Sequence, residues 1–340
     1  MDIESSQGKQ LPSIRELSTQ FDVNYLTARH ALKYLESKGL VSMQTGRGTF
    51  ITLSKAQPIT LGVIVPDLSY RINSTISRGI RMAANVRNVV PVFMDFHNAP
   101  DFELECFERL ETEKIEAALI YPSLHEETLK PLQKLILSGY PIVFLDRAPG
   151  DIPCWSVSSD DKEIGYLAGR HLAERGVKVP ACVLAELPNL RNRLLGFQQG
   201  LNDQNVALPQ SRIFMTDSNF ETTQAITRSL MQLDPRPDGI FYLNDQHALV
   251  GLRQLHDLGI AVPSQVKVVG ADDIEATRHS LPTLTTIKQN ATALGREAFR
   301  MICESIATSP EDRVSTRHVS IPVELVDRES TKSDDVVSGG

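Results

Sequence analysis

Ser54-Lys55-Ala56-Gln57-Pro58-Ile59-Thr60-Leu61-Gly62-Val63-Ile64-Val65 is where the 340-residue chain changes character. Its first five residues are polar and end in proline, the composition of an interdomain linker. From Ile59 a near-continuous apolar run begins, the pattern of a strand buried on both faces. Runs of the same kind recur downstream at Val90–Asp95, Ala117–Tyr121, Pro141–Asp146, Ala181–Leu184, Gly239–Leu243 and Val266–Gly270. Helix-length stretches separate them, among them Ser74–Arg87, Asp161–Arg175 and Thr222–Leu233. Strand and helix in alternation predict parallel α/β sheets covered on both faces. Roughly 270 residues are too many for one open sheet of this type, so the expected architecture is two doubly wound lobes.

Upstream of the linker the pattern is different. Ser13 with Glu16 three residues on is a capping box, and Ile14, Leu17, Ser18 and Phe21 follow helical spacing. Asp22-Val23-Asn24 interrupts that helix, and Asn24 can cap a second one carrying Leu26, Ala28, Ala31, Leu32 and Leu35. Gly39 is placed to end it. Leu40–Met43 and Thr49–Ile51 then flank Gln44-Thr45-Gly46-Arg47-Gly48, a hairpin with an arginine between glycines at its tip. Two helices and a wing make a small α+β winged helix-turn-helix domain. The second helix would enter the major groove by its N-terminal residues, Asn24, Tyr25 and Thr27, with Arg29 one turn on. Arginine can bind guanine and asparagine adenine in bidentate fashion. Arg15 and Arg47 suit phosphate or the minor groove.

Charge agrees weakly with that reading. Residues 1–57 hold seven Lys/Arg against five Asp/Glu, in a chain whose net charge is −7. A mildly basic head on an acidic body orients the head toward phosphate. The N-terminus lacks a basic n-region and an apolar h-region, and no run of apolar residues is long enough to span a membrane. A cytoplasmic location and no membrane partner are therefore expected. Cys106, Cys154, Cys182 and Cys303 are scattered singly, as free thiols would be, and neither a metal nor a cofactor is expected.

In open α/β sheets ligands bind beyond the carboxyl ends of the strands. Polar residues there are Asp67, Asp146-Arg147, Asn244-Asp245 and Asp272-Asp273, with Arg193 expected to open a further helix. Carboxylates that accept from hydroxyls, and Arg and Asn that donate, are the groups that grip a polyol. Taken singly, each is as suited to a helix cap as to a ligand, Asp245 and Asp273 above all. Trp155 either closes over a ligand or packs in the core. An enzyme is the competing reading, but GxxxxGK[ST], GxSxG and HExxH are all missing and the eight histidines pair with nothing at a recognisable spacing. A transport binding protein is the third.

Two resemblances sharpen this. Leu11-Pro12-Ser13-x-Arg15-Glu16-Leu17, Thr27-x-Arg29-x-Ala31-Leu32-x-x-Leu35-x-x-Lys38-Gly39-Leu40 and Gly46-Arg47-Gly48-Thr49-Phe50 resemble the GntR family of winged-helix regulators. The likeness implies DNA contacts from Arg15, Asn24, Tyr25, Thr27, Arg29, Gly46 and Arg47. The chain departs from that family at Asn24-Tyr25-Leu26, where Ser/Thr-Arg-Thr is usual. Only ten residues precede Leu11, so either the family's first helix is short here or the start lies upstream. The body, from about Ile59 to Arg328, resembles the LacI-type regulators, whose sensor is like a periplasmic sugar-binding protein. The residues that carry this are Asp146-Arg147, Arg193-x-x-Gly196-Phe197, Asn244-Asp245-x-x-Ala248, Val262-Pro263, Val268-Val269-Gly270-x-Asp272-Asp273 and Leu284-Thr285-Thr286-Ile287-x-Gln289. It implies effector contacts by Arg147, Arg193, Asn244, Asp272 and Gln289, with Asp146 beside them and Asp160 as the acid after the hinge strand. Tyr70 and Arg71 stand where relatives have other residues. Tyr70 could stack on a sugar ring and Arg71 reach an anionic group.

A GntR-like head on a LacI-like body is similar to the arabinose-repressor type. The expected protein is a dimeric repressor of a two-fold operator, controlled by a monosaccharide or derivative. The expected divisions are a head at 1–53, a linker at 54–58 and an effector and dimerisation domain at 59–330. Within the body, lobe one takes 59–157 and 290–317, lobe two takes 158–289 and 318–330, and 331–340 is expected to be a flexible tail.

Overall fold

The computed structural model describes residues 9–37, 40–44, 46–51, 58–85, 87–150, 152–185, 187–217 and 219–332. The expected linker, apart from Pro58, the predicted stop at Gly39 and the tail beyond residue 332 lie outside the described residues. The chain forms two compact units, Met1–Ile59 with Asn88–Val90, and Thr60–Arg87 with Pro91–Gly340.

In the head, α1 (Ile14–Gln20) starts from the predicted capping box: Glu16 N–H donates to Ser13 Oγ and Ser13 N–H to Glu16 Oε2. Helix α2 (Tyr25–Ser37) follows after Asp22, whose φ of 51° lies in the left-handed region and turns the chain. Strands β1 (Val41–Gln44) and β2 (Gly48–Ile51) pair antiparallel as the wing. Gly46 and Gly48, at φ of 79° and 112°, make its turn, in backbone conformations where a side chain is strained. A third segment, not anticipated, lies alongside: Leu11 N–H donates to Thr49 O and Ile51 N–H to Lys9 O. Ala28, Leu32 and Val41 form the small buried core.

The body opens with β3 (Ile59–Val65), α3 (Arg71–Ala84), β4 (Val89–Asp95), α4 (Pro100–Thr112), β5 (Ala117–Ile120), α5 (Glu126–Leu137), β6 (Ile142–Leu145) and β7 (Trp155–Ser159). The second lobe holds α6 (Asp161–Glu174), β8 (Pro180–Ala185), α7 (Pro188–Asn202), β9 (Ile213–Thr216), α8 (Phe220–Leu230), β10 (Gly239–Tyr242), α9 (Asp245–Asp257), β11 (Lys267–Ala271) and β12 (Thr285–Gln289). The chain returns to the first lobe in α10 (Ala291–Ala307), α11 (Pro310–Arg313) and β13 (Arg317–Ile321), and ends in the second with β14 (Val323–Val326). The sheets run β13-β7-β6-β5-β3-β4 and β14-β12-β11-β10-β8-β9. Apart from the antiparallel β12–β14 edge, the registers from β13 to β3 and from β12 to β9 are parallel. The anticipated apolar strands are central ones, except Val90–Asp95, which forms the edge strand β4. Val63, Ile64, Leu119 and Val143 in the first sheet, and Val183, Ile240 and Val268 in the second, are wholly buried.

Three expectations need correction. The first crossing between lobes falls after Ser159, and the third falls between Ile321 and Val323 rather than at 317/318, because Arg317–Ile321 pairs along its whole length with Trp155–Ser159. Arg193 does not open a helix; it sits in the second turn of α7. The ordered fold extends beyond 330: Ser330 Oγ donates to Val268 O at 2.6 Å, and Thr331 Oγ1 lies 2.8 Å from His171 Nε2, both residues fully buried.

Helices α6 and α7 pack backbone to backbone. Gly165 and Gly169 on one face Gly196 and Gly200 on the other. A Cβ on Gly165 would lie 1.8 Å from Arg193 O, and one on Gly196 would lie 1.9 Å from Lys162 O. These glycines set how closely Arg193 and Asp161 approach. Gly196→Ala forces two helix backbones apart, and overpacking of this kind typically costs about 1–3 kcal/mol. It is expected to lower the urea midpoint accordingly. Gly150→Ala, where nothing lies within 4 Å of the added Cβ, should stay within about 0.5 kcal/mol of the parent. Equal effects would show that the contact is compliant.

Candidate functional site

The head gathers three of its predicted DNA-facing residues. Arg15, Tyr25 and Gly46 line one groove, with Gln44, Gly48 and Thr49. Asn24 and Thr27 are tied to each other: Asn24 Oδ1 accepts from Thr27 N–H at 2.8 Å and from Thr27 Oγ1 at 3.0 Å. Asn24 therefore caps α2 through its Oδ1. Arg29 is exposed on α2 outside the groove. Arg47 is held at the wing tip through its backbone, its N–H donating to Gln44 O and its carbonyl accepting from Gln10 Nε2 at 2.9 Å.

In the body, strand ends of both lobes meet at one cavity of about 170 Å³. Pro66 and Tyr70 reach it after β3, Tyr121 after β5, and Asp146 and Arg147 after β6. From the second lobe come Leu187 after β8, Asn244 after β10, Asp272 after β11 and Gln289 at the end of β12. In each sheet the strand order reverses beside this point, where open α/β sheets bind ligands.

Arg193 is its cationic centre. Only 4% exposed, it donates to Asp161 Oδ1 through Nε at 3.0 Å and Nη2 at 2.6 Å, and through Nη1 to Leu243 O. Burial disfavours its charge, but Asp161, Asp272 and Asp146 more than offset that and hold its pKa above the usual arginine value. Asp272 has φ of 119° and accepts from Gln289 Nε2 at 2.7 Å. Burial pushes its carboxyl up to about 7, against the lowering effect of Arg193 and Gln289 and with Asp146 and Asp161 raising it further. Tyr121 donates its hydroxyl to Asp146 Oδ2; burial, then Asp146, raises that hydroxyl well above the usual phenol range. The Arg147 guanidinium lies over the Tyr121 ring at 4.9 Å and donates to Pro122 O.

Asn244 Oδ1 caps α9 by accepting from His247 N–H. Asp245 is not in the cavity. Fully buried, it accepts from Thr286 Oγ1 at 2.6 Å and Ile274 N–H at 3.0 Å, which ties the start of α9 to β12 and to the loop after β11. Asp273 pairs with Arg328 and Arg278. Both are structural, one of the two roles open to them in the sequence.

Two predicted effector residues lie elsewhere. Arg71 reaches across the cleft mouth to Glu275, 3.5 Å away, on the opposite lobe. Asp160 caps α6, accepting from Glu163 N–H at 2.9 Å, and lines a separate hinge-side chamber. Trp155 is core: it is buried, donates to Ser315 Oγ at 3.1 Å and carries Arg317 on its ring.

The sequence matches two family models, bacterial regulatory proteins of the gntR family at residues 1–51 and the periplasmic binding protein-like domain at residues 170–331. The HTH-type transcriptional repressor PurR of Mannheimia succiniciproducens is 31% identical over 237 residues, covering 69% of this chain and 70% of that one. The chain belongs to the HTH-type transcriptional repressors. The arabinose metabolism transcriptional repressor of Geobacillus stearothermophilus is similar over nearly the whole length of this repressor, 25% identical across 95% of this chain and 92% of that one. A LacI family transcriptional regulator from Enterococcus faecium, solved with bound ribose, has the fold of the body (TM-score 0.66, 27% identity, 80% of this chain and 98% of that one).

Several cavity residues of the repressor went unremarked in the sequence. Tyr121 directly follows an apolar strand, a position that the strand-end rule covers. Asn73, 5% exposed, donates Nδ2 to Asp67 O, while its Oδ1 has no partner among the described residues. His247, almost wholly buried, bonds Thr223 Oγ1 through Nδ1 at 2.6 Å, and burial lowers its pKa to about 4. Both stand in the first turn of a helix that follows a strand, one turn beyond where strand-end residues were sought. Among the described residues, no group of acids, histidines and cysteines is arranged to hold a metal, and no helix is long and apolar enough to cross a membrane.

Proposed function

We propose that this repressor binds a two-fold operator as a homodimer and releases it when a monosaccharide or related neutral polyol occupies the cleft between the lobes of its body. The observation that carries the reading is the donor and acceptor set converging from both lobes: Arg147, Asn244 and Arg193 against Asp146, Asp272 and the open Asn73 Oδ1. Such a set suits hydroxyls that donate and accept. It also weighs against a sugar acid or phosphate. Arg71 is engaged at the rim by Glu275, and the two arginines that line the cavity face two carboxylates, with Asp161 on Arg193 besides.

A ligand touching both lobes binds the closed cleft better than the open one and so biases closure. The resulting change in operator affinity is bounded by that differential binding, typically 1–3 kcal/mol. The test is a thermal-shift screen of sugars, sugar acids and sugar phosphates. A specific ligand at about a hundred times its Kd adds about 2.7 kcal/mol of stability. A melting curve moved only by purines or amino acids would overturn the polyol reading.

On the DNA side, Arg29→Ala is expected to cost about 1–3 kcal/mol on operator and to relax specificity, as loss of a base contact does. Arg47→Ala should weaken binding evenly across sequences and flatten the salt dependence by about one ion. Gel shifts on operator and scrambled DNA at several salt concentrations separate the two. The reverse pattern would exchange base reader and phosphate anchor.

A further inference from the structure

We propose that the effector has two polyol units, as a disaccharide or glycoside does, with one ring in the central cavity and the second in the hinge-side chamber. This rests on reading the cleft as a polyol site. The central cavity, at about 170 Å³, falls short of the roughly 300–1,000 Å³ usual for small-molecule sites. A second chamber of about 450 Å³ meets it at Asp146 and Arg147, which line both.

The second chamber is lined by polar groups on the open face of the sheet's β13 edge. Strand β7 alternates Trp155 and Val157, both buried, with Ser156 and Ser158. In register beside these two serines on β13 stand His318 and Ser320. The four make a polar floor on one face of the strand pair, and Ser156 Oγ already bonds His318 Nδ1 at 3.0 Å. Ser159 ends the strand on its other, buried face, with Trp155 and Val157. Opposite the floor, Arg147, Lys162 and Asn192 donate while Asp146, Asp160 and Asp161 accept. With Asp161 paired to Arg193, two carboxylates stand against two cations and leave no surplus for an anion, so the second unit is neutral, like the first. The chamber also accounts for Asp160, whose side chain caps α6 while lining this space rather than the central one.

The experiment is calorimetry on the full chain with arabinose, ribose, glucose and galactose, and with disaccharides and methyl glycosides that contain them. At least one two-unit probe is expected to bind about tenfold or more tighter than its parent sugar, a difference of about 1.4 kcal/mol. Ser158→Phe fills the chamber from its floor and Lys162→Trp from its exposed rim. Each should cancel that advantage while leaving the affinity for the parent sugar unchanged. Lys162 is solvent-exposed, so its variant keeps the test intact if the Ser158 variant misfolds. Free sugars binding as tightly as every two-unit probe, or an advantage that survives Lys162→Trp, overturns the second subsite and leaves the polyol reading standing. Binding of neither class overturns both.

Discussion

Arg193→Met is expected to destabilise the body by about 3–5 kcal/mol, the cost of removing one member of a buried, hydrogen-bonded charge pair. The guanidinium gives Asp161 two short contacts and gives the Leu243 carbonyl a third. Asp161 is only 7% exposed, so water does not readily replace what it loses. The damage should therefore reside in the desolvated carboxylate that has lost its arginine more than in the lost attraction. Arg193→Met combined with Asp161→Leu is accordingly expected to recover most of the loss, because replacing a whole buried pair by apolar groups is often close to neutral. Urea unfolding of parent, single and double variants measures this, at unchanged denaturant slope. The double variant should still lack effector response, since the cavity has lost its central donor. A single variant within about 1 kcal/mol of the parent, or a double variant no better than the single, would show that Arg193 is not held by this pairing.

What could be read in the sequence, and what could not, divides along physical lines. The central strands were legible because a strand buried on both faces must be apolar throughout, as Leu61–Val65 and Ala117–Ile120 are. Of the four edge strands only β4 was. Ile213–Thr216, Arg317–Ile321 and Val323–Val326 carry mixed polarity because one side of each meets solvent or, for β13, the hinge chamber. The third crossing was misplaced for the same reason, since Arg317-His318-Val319-Ser320 has no apolar run to mark it. At the site, strand ends gave Asp146, Arg147, Asn244 and Asp272 directly. Arg193 was expected at a helix start, but it reaches the cavity from the second turn of α7, and the contact that positions it is the glycine-lined approach of α7 to α6. Arg71 was misread because sequence position puts it near the cleft but cannot show Glu275 facing it from the other lobe. Asp160, expected among the effector contacts as the acid after the hinge strand, caps α6 and lines the hinge-side chamber.

Asp272→Asn is expected to stabilise the unliganded protein above neutral pH while impairing its response to effector. Burial raises the Asp272 carboxyl from an ordinary 3.8 to about 7 in the folded state. A group whose folded pKa is raised favours folding fully only below its unfolded pKa. That contribution declines as pH rises from about 4 and is gone above about 7. At pH 8 the folded protein therefore carries an ionised carboxylate in an unfavourable place, at a linkage cost of up to about 4 kcal/mol, since one pKa unit is about 1.4 kcal/mol. Asparagine removes the charge, tolerates the positive φ nearly as well and still accepts from Gln289. The gain in stability of the variant over the parent should be small at pH 4, grow through pH 5 to 7 and level off by pH 8. An effector hydroxyl that donates to the ionised carboxylate would lose a charge-assisted bond worth about 1.5–3 kcal/mol. The effector concentration needed for half-release of operator should rise about ten- to a hundredfold, with operator affinity in its absence unchanged. A site that strains its own fold in order to bind is the usual trade of stability against function. Melting curves from pH 4 to 8 and operator release at pH 8 together decide it. A variant no more stable than the parent at pH 8, or a difference that does not vary with pH, would mean that Asp272 is comfortably solvated. It would then have no claim to be the effector's principal acceptor.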